Sequence, residues 1–134
     1  MPVIALRLKP GDDLKVALQS LCERRNLTAA CIVTCVGSLD GACLRFSNQP
    51  QGTVLPGKWE IVSLTGTLSV HGSHLHMALS DGHGHTVGGH VMPGCRIYTT
   101  AELVVGVLPT LEFHRQLDPV TTFRELTITP APNR

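Results

Sequence analysis

The residues of this 134-residue chain best suited to chemistry are three histidines, His74, His76 and His90, lying in one stretch rich in His and Gly. Side chains alternate between the faces of a strand, so His74 and His76 share a face while Leu75, Met77 and Leu79 take the other. Whether His90 joins them depends on the turn before the partner strand, which should run from Thr86 to Met92. With a three-residue loop Gly82-His83-Gly84, Asp81 pairs with His85 and His76 lies opposite His90. A two-residue loop sends His90 to the far face, because a one-residue slip inverts every side chain. Three neutral imidazoles on one face suit zinc or a similar divalent ion, and they leave a fourth position open for water, as catalytic sites do. Without that convergence the segment is a histidine-bearing surface hairpin. His71, His83 and His85 lie near turns and off the favoured face.

Other groups could serve such a centre. Glu60 and Glu102 are candidates for a general base or a fourth ligand, and Arg45 for bidentate capture of a carboxylate. All three read equally as charges on the solvent face of a strand, and nothing in the sequence sets them beside the histidines. Cys31 and Cys35 fall on one strand face and could form a soft metal pair, but no histidine is near them in sequence and core packing explains them. Cys22, Cys43 and Cys95 bring the cysteines to five. The odd count has no framework spacing and reads as reduced, buried thiols.

The elements that must position these groups follow from periodicity and punctuation. Val3 to Leu8 reads as a first strand, ended by Lys9-Pro10. Asp12 or Asp13 caps a helix whose Leu14, Ala17, Leu18 and Leu21 recur at i, i+3, i+4 and i+7 and which ends near Asn26. Ala30 to Val36 is a buried strand, Gly37 to Gly41 a turn, and Ala42 to Phe46 the next strand. Ser47 to Gly57 is the one loop of any length and a candidate pocket rim. Trp59 to Val70 alternates as a long strand leading into the histidine hairpin. Arg96 to Leu108 is another long strand, Leu111 to Arg115 and Phe123 to Ile128 form a last hairpin about Asp118-Pro119, and residues 130–134 look like a frayed tail. The pattern predicts a single domain over residues 1–134, α+β in class, with a mostly antiparallel sheet and one main N-terminal helix.

Hydrophobic residues make up 43% and charged ones 16% of the chain. A monomer of this size usually carries about 25% charge, so part of the surface is expected to be covered by other subunits. The formal net charge is +1. No run of Lys or Arg offers the footprint for a phosphate backbone, and the one basic pair, Arg24-Arg25, suits a helix C-terminus. No secretory leader or membrane-length apolar run is evident, which leaves a soluble, cytoplasmic protein as the expectation.

Taken together, several landmarks resemble the plants-and-prokaryotes-conserved (PPC) domain, found attached to AT-hooks in plant nuclear proteins and free-standing in many prokaryotes. They are Gly11-Asp12-Asp13-Leu14, Val36-Gly37-Ser38-Leu39, the run Gly57 to Gly66, His74-Leu75-His76, Ser80-Asp81, Gly88-Gly89-His90 and Thr100-Ala101-Glu102-Leu103. The resemblance covers nearly the whole chain. It implies an α+β fold around a central antiparallel sheet, a homotrimer, and a zinc site on His74, His76 and His90, as in free-standing members. A more distant similarity in fold and histidine arrangement links the domain to zinc-dependent acetolactate decarboxylase and to a group of small zinc ester hydrolases. The chain lacks the Arg-Gly-Arg-Pro AT-hook, so nucleic acid is not an expected partner although the family often carries a DNA-binding label. The resulting expectation is a trimeric zinc-binding PPC protein that acts on or binds a small molecule at the histidines. The alternative is a protein-interaction or DNA-associated regulatory module without catalysis.

Overall fold

The computed structural model describes residues 1–132 of the chain. The N-terminal strand β1 (Val3–Leu8) leads into the one helix, α1 (Leu14–Arg25), and seven further strands follow. These are β2 (Ala30–Arg45), β3 (Thr53–Ser69), β4 (Gly72–Ser80), β5 (Thr86–Val91), β6 (Ile97–Val107), β7 (Leu111–Leu117) and β8 (Arg124–Pro130). Six strands make one sheet in the order β1-β6-β2-β3-β4-β5, and β7 and β8 pair separately as a hairpin. Every pairing is antiparallel, as the fold class expected from the sequence requires.

One further pairing decides where the site forms. The end of β2 also bonds β5, through Leu44 with Val91 and Arg45 with His90. The sheet therefore curls until its last strand meets its third. Gly89 permits that approach, because a Cβ there would lie 2.9 Å from the Arg45 carbonyl oxygen.

The helix forms where the sequence signals put it. Asp13 caps it by accepting from the Val16 amide at 3.1 Å, and Asn26 ends it in the left-handed conformation at φ 49°. Such a cap suits an Asn side chain. Leu14, Leu18, Leu21 and Cys22 are buried on one helical stripe. They pack in the same core as Leu75, Met77 and Leu79 of β4 and Leu103 and Val105 of β6. Arg24 and Arg25 occupy the last turn, where positive charge meets the negative end of the helix dipole.

The β7–β8 hairpin is tied to the body by backbone and hydroxyl bonds. The Phe113 amide donates to the Thr28 carbonyl at 2.8 Å, and the buried Ser69 hydroxyl donates to the Phe113 carbonyl at 3.0 Å. Among the described residues no helix is long and apolar enough to cross a membrane.

Three expectations change. Gly37 to Gly41 is not a turn between two strands, for β2 runs unbroken from Ala30 to Arg45. Gly37 is small because β6 lies against it, where a Cβ would fall within 2.7 Å of the Ala101 Cα. Gly41, at φ 83°, sits in a register shift between Asp40 and Ala42, an irregularity that bends a strand without ending it. The long loop is also shorter than expected, since β3 begins at Thr53 and carries Pro56 within it. Of the expected tail, Pro130 still belongs to β8 and the Ala131 amide donates to the Thr110 carbonyl at 2.8 Å. Residues 133 and 134 lie outside the described residues.

Candidate metal centre

The turn between β4 and β5 has the odd length on which convergence depends. Asp81 and His85 close it, with the Asp81 amide donating to the His85 carbonyl at 2.9 Å and the Gly84 amide to the Asp81 carbonyl at 3.0 Å. Gly84 takes φ 81°, a conformation Gly adopts without steric cost. The Asp81 carboxylate accepts from the His83 and His85 amides at 2.9 Å each, which fixes the loop from inside. Pairing then runs Ser80 with Thr86, Ala78 with Gly88, and His76 with His90.

Three imidazoles consequently meet on the face opposite the core. Leu75, Met77 and Leu79 are buried, whereas His74 and His76 are exposed and His90 is half-buried. His74 Nε2 and His76 Nε2 stand 3.2 Å apart. The three rings offer one nitrogen each within 4.8 Å of one another. Among the described residues no other group of His, Cys, Asp or Glu side chains is gathered this way.

The surroundings favour the neutral form of two of the imidazoles. Burial, then the Arg45 guanidinium, pushes His90 down to about 4. Burial, then His76 and Arg115, lowers His74 as well. A neutral imidazole is the form that binds a metal ion. His90 Nδ1 is buried and has no hydrogen-bond partner among the described residues, an arrangement that is costly when nothing else satisfies the atom.

Of the other sequence candidates, one reaches the site. Arg45 pairs with His90 in the β2–β5 register and lines the same cleft. Glu60 does not: it lies across from Ser80, four residues along β4 from His76 or roughly 13 Å at strand rise. Glu102 sits between Arg7 and Val36, in the part of the sheet built from β1, β6 and β2. His71 stacks on His114 with ring centroids 4.5 Å apart, and His83 and His85 stay in the turn. Cys31 and Cys35 pair with Gly106 and Leu103 on β6 and remain free thiols.

Ser47 to Pro50, from the segment expected to rim a pocket, do line the site, whereas the hairpin side chains that complete it carry no local sequence signal. A cleft of about 950 Å³ opens beside His74 and His90, and the C-terminal hairpin lines it with Arg115, Phe123, Arg124 and Glu125. A second cleft of about 430 Å³, holding all three histidines, shares Arg45, Ser47, Asn48, His74 and His90 with the first. Arg115 Nη2 donates to Thr67 Oγ1 at 3.0 Å, and Thr67 stands directly across from His74. Lys15 of α1 donates to Ser73 Oγ at 3.2 Å on the next residue. The hairpin itself was legible, but its docking against the histidine strands depends on tertiary bonds at Thr28 and Ser69 that leave no local pattern.

Comparison with known proteins gives concordant results. Residues 1–109 match the family described as the Plants and Prokaryotes Conserved (PCC) domain. A hypothetical protein from Salmonella cholerae-suis is 44% identical, with a TM-score of 0.94 over 96% of this chain and 94% of that one. A bifunctional protein GlmU from Synechococcus is 44% identical over 130 residues, covering 97% of this chain and 21% of the relative. The chain thus spans about a fifth of the length of the curated relatives it matches. A metal-containing protein from Archaeoglobus fulgidus shares the fold, with a TM-score of 0.79 at 24% identity over 95% of this chain and 94% of that one.

Proposed function

The chain belongs to the Plants and Prokaryotes Conserved domain family, and from that premise we propose that it is a homotrimer holding one zinc ion per chain on His74, His76 and His90, where a small molecule is bound or transformed. The observation that carries this reading is the convergence of three imidazole nitrogens within 4.8 Å.

Donor set and spacing both fit such an ion. Zinc takes imidazole nitrogen at about 2.0–2.1 Å in a tetrahedral shell, which separates neighbouring ligand nitrogens by about 3.3–3.4 Å. The His74 and His76 nitrogens already lie 3.2 Å apart. A site of three histidines leaves a fourth position open. The fold neighbour from Archaeoglobus fulgidus is itself a metal-containing protein, which supports a metal in this branch of the fold.

When bound, an ion of this kind acts as a Lewis acid and brings the pKa of water to about 7. The chain's own residues then have separable duties. Leu75, Met77 and Leu79, buried beneath, fix the backbone of β4 and with it the spacing of His74 and His76. Arg45 presents a positive charge beside His90, and Glu125 a carboxylate near enough to His74 to oppose the lowering by its cationic neighbours. Glu125 is therefore the acid–base candidate of the site, in place of Glu60 and Glu102.

Trimer formation is supported by the 16% charge content and by exposed Val3, Val33, Val36 and Val62 on β1, β2 and β3, apolar surface that association would cover. The same valines favour a second reading, a partner-binding module in which the ion is structural. The five cysteines are free thiols, which fits a reducing compartment, and we assign the protein to the cytoplasm.

Metal analysis of the purified protein beside the double variant His76→Ala/His90→Ala tests the ligand set. One zinc per chain in the first and none in the second is the expected result. Stoichiometric zinc retained by the double variant would refute the assignment.

A further inference from the structure

We propose that the cleft beside the histidines is a receptor for a small oxyanion-bearing molecule, a carboxylate or a phosphate, gripped by Arg115 of the C-terminal hairpin together with Arg45. The inference deepens the small-molecule reading above and rests on it for where the rest of the ligand would lie. The anion grip itself requires no metal.

Charge is the first observation. The 950 Å³ cleft is lined by the three guanidinium groups of Arg45, Arg115 and Arg124 and by one carboxylate, Glu125. Ion pairs among the described residues join Lys58 to Asp40, His85 to Asp81 and His114 to Glu112. None of them involves the cleft's arginines, nor Lys15, whose ammonium sits at the rim on Ser73. Unpaired cations gathered round a concave site raise the local concentration of anions and favour their capture.

Pre-organisation is the second. Arg115 is held by its bond to Thr67 Oγ1 at 3.0 Å, and its backbone lies in a strand pinned through Phe113 to Thr28 and Ser69. One Nη2 hydrogen is thereby engaged, and the guanidinium keeps four further N–H donors. Arg45 is fixed at its backbone by the β2–β5 bridge to His90. A planar donor fork already held in place loses little freedom when it meets the matching oxygens of a carboxylate or phosphate.

Position is the third. Arg115 anchors opposite His74 and Arg45 opposite His90, so an anionic group between them leaves the remainder of the molecule directed at the imidazoles. Arg115, Phe123 and Arg124 also lie beyond the matched segment 1–109. Three of the cleft's four charged side chains, Arg115, Arg124 and Glu125, are thus supplied by the C-terminal hairpin.

Calorimetric titration at constant ionic strength with inorganic phosphate, with malonate and with neutral glycerol tests the proposal. It is run on the protein as purified and again after EDTA treatment. At least one of the two anions should bind one site per chain with Kd below about 1 mM in both preparations, while glycerol does not bind. Arg115→Gln and Arg45→Gln should each weaken that binding about tenfold or more, the loss of a charge-assisted hydrogen bond. Arg124→Gln, at an exposed position without a side-chain hydrogen bond, changes the same charge without disturbing the fold and should weaken it about threefold. Arg24→Gln on the helix should have no effect. Tighter phosphate assigns a phosphorylated ligand and tighter malonate a dicarboxylate. Binding that is absent, that appears only with metal present, or that ignores the cleft arginines overturns the proposal. If the zinc reading alone fails, the purified protein contains no ion while arginine-dependent binding persists.

Discussion

His76 and His90 face each other across β4 and β5, with ring centroids 5.7 Å apart. That opposition is a matter of parity. It exists because Gly82, His83 and Gly84 are three residues between a closing Asp81–His85 pair.

Deleting Gly82 should therefore abolish stoichiometric zinc binding while leaving every histidine in the chain, because the slip turns His90 to the core face. Gly82→Ser provides the control. A Cβ at Gly82 meets nothing within 4 Å and its φ is not left-handed, so the length is kept and binding should match wild type. The idea fails if the deletion variant still takes up one zinc per chain with wild-type affinity in a chelator competition.

The same parity explains why the convergence of the three histidines was legible in sequence. A two-residue repeat in a strand and a glycine in the turn are local signals, and Asp13 and Asn26 likewise mark the helix by local chemistry. Arg115 and Glu125 could not be read in this way. They approach His74 only because the hairpin docks through Thr28 and Ser69, and such bonds join residues far apart in the chain. Gly37 misled for a related reason. Its smallness answers the closeness of β6, yet in sequence it has the look of a turn residue. Glu60 does share the histidine face, but it stands too far along β3, where a register shift between Ile61 and Ser63 makes simple counting unreliable.

Asp13 links the helix to the rest of the fold. Its Oδ1 accepts from the Val16 amide at 3.1 Å and its Oδ2 from the Gly94 amide at 2.7 Å. Asp13→Ala leaves both donors without this partner and should destabilise the protein by about 2 kcal/mol, read from urea unfolding. A change smaller than about 0.5 kcal/mol would place Asp13 among ordinary surface residues.

Burial pushes the Cys22 thiol up from 9.0 to about 11, with Glu23 adding to the shift. In the unfolded chain the thiol ionises first, near its ordinary value. Its contribution to stability is therefore complete below pH 9 and is lost as pH rises toward 11. Unfolding free energy should fall more steeply across that window in wild type than in Cys22→Ala, and native Cys22 should react slowly with iodoacetamide at pH 8. Parallel slopes in the two proteins would contradict the assignment.

Zinc K-edge absorption spectroscopy on the metal-loaded protein addresses the ligand set most directly. The account predicts a shell of light atoms at about 2.0–2.1 Å, with the outer scattering of three imidazoles and no sulfur. Sulfur at about 2.3 Å, the distance of a cysteine ligand, or fewer than three imidazoles would contradict it.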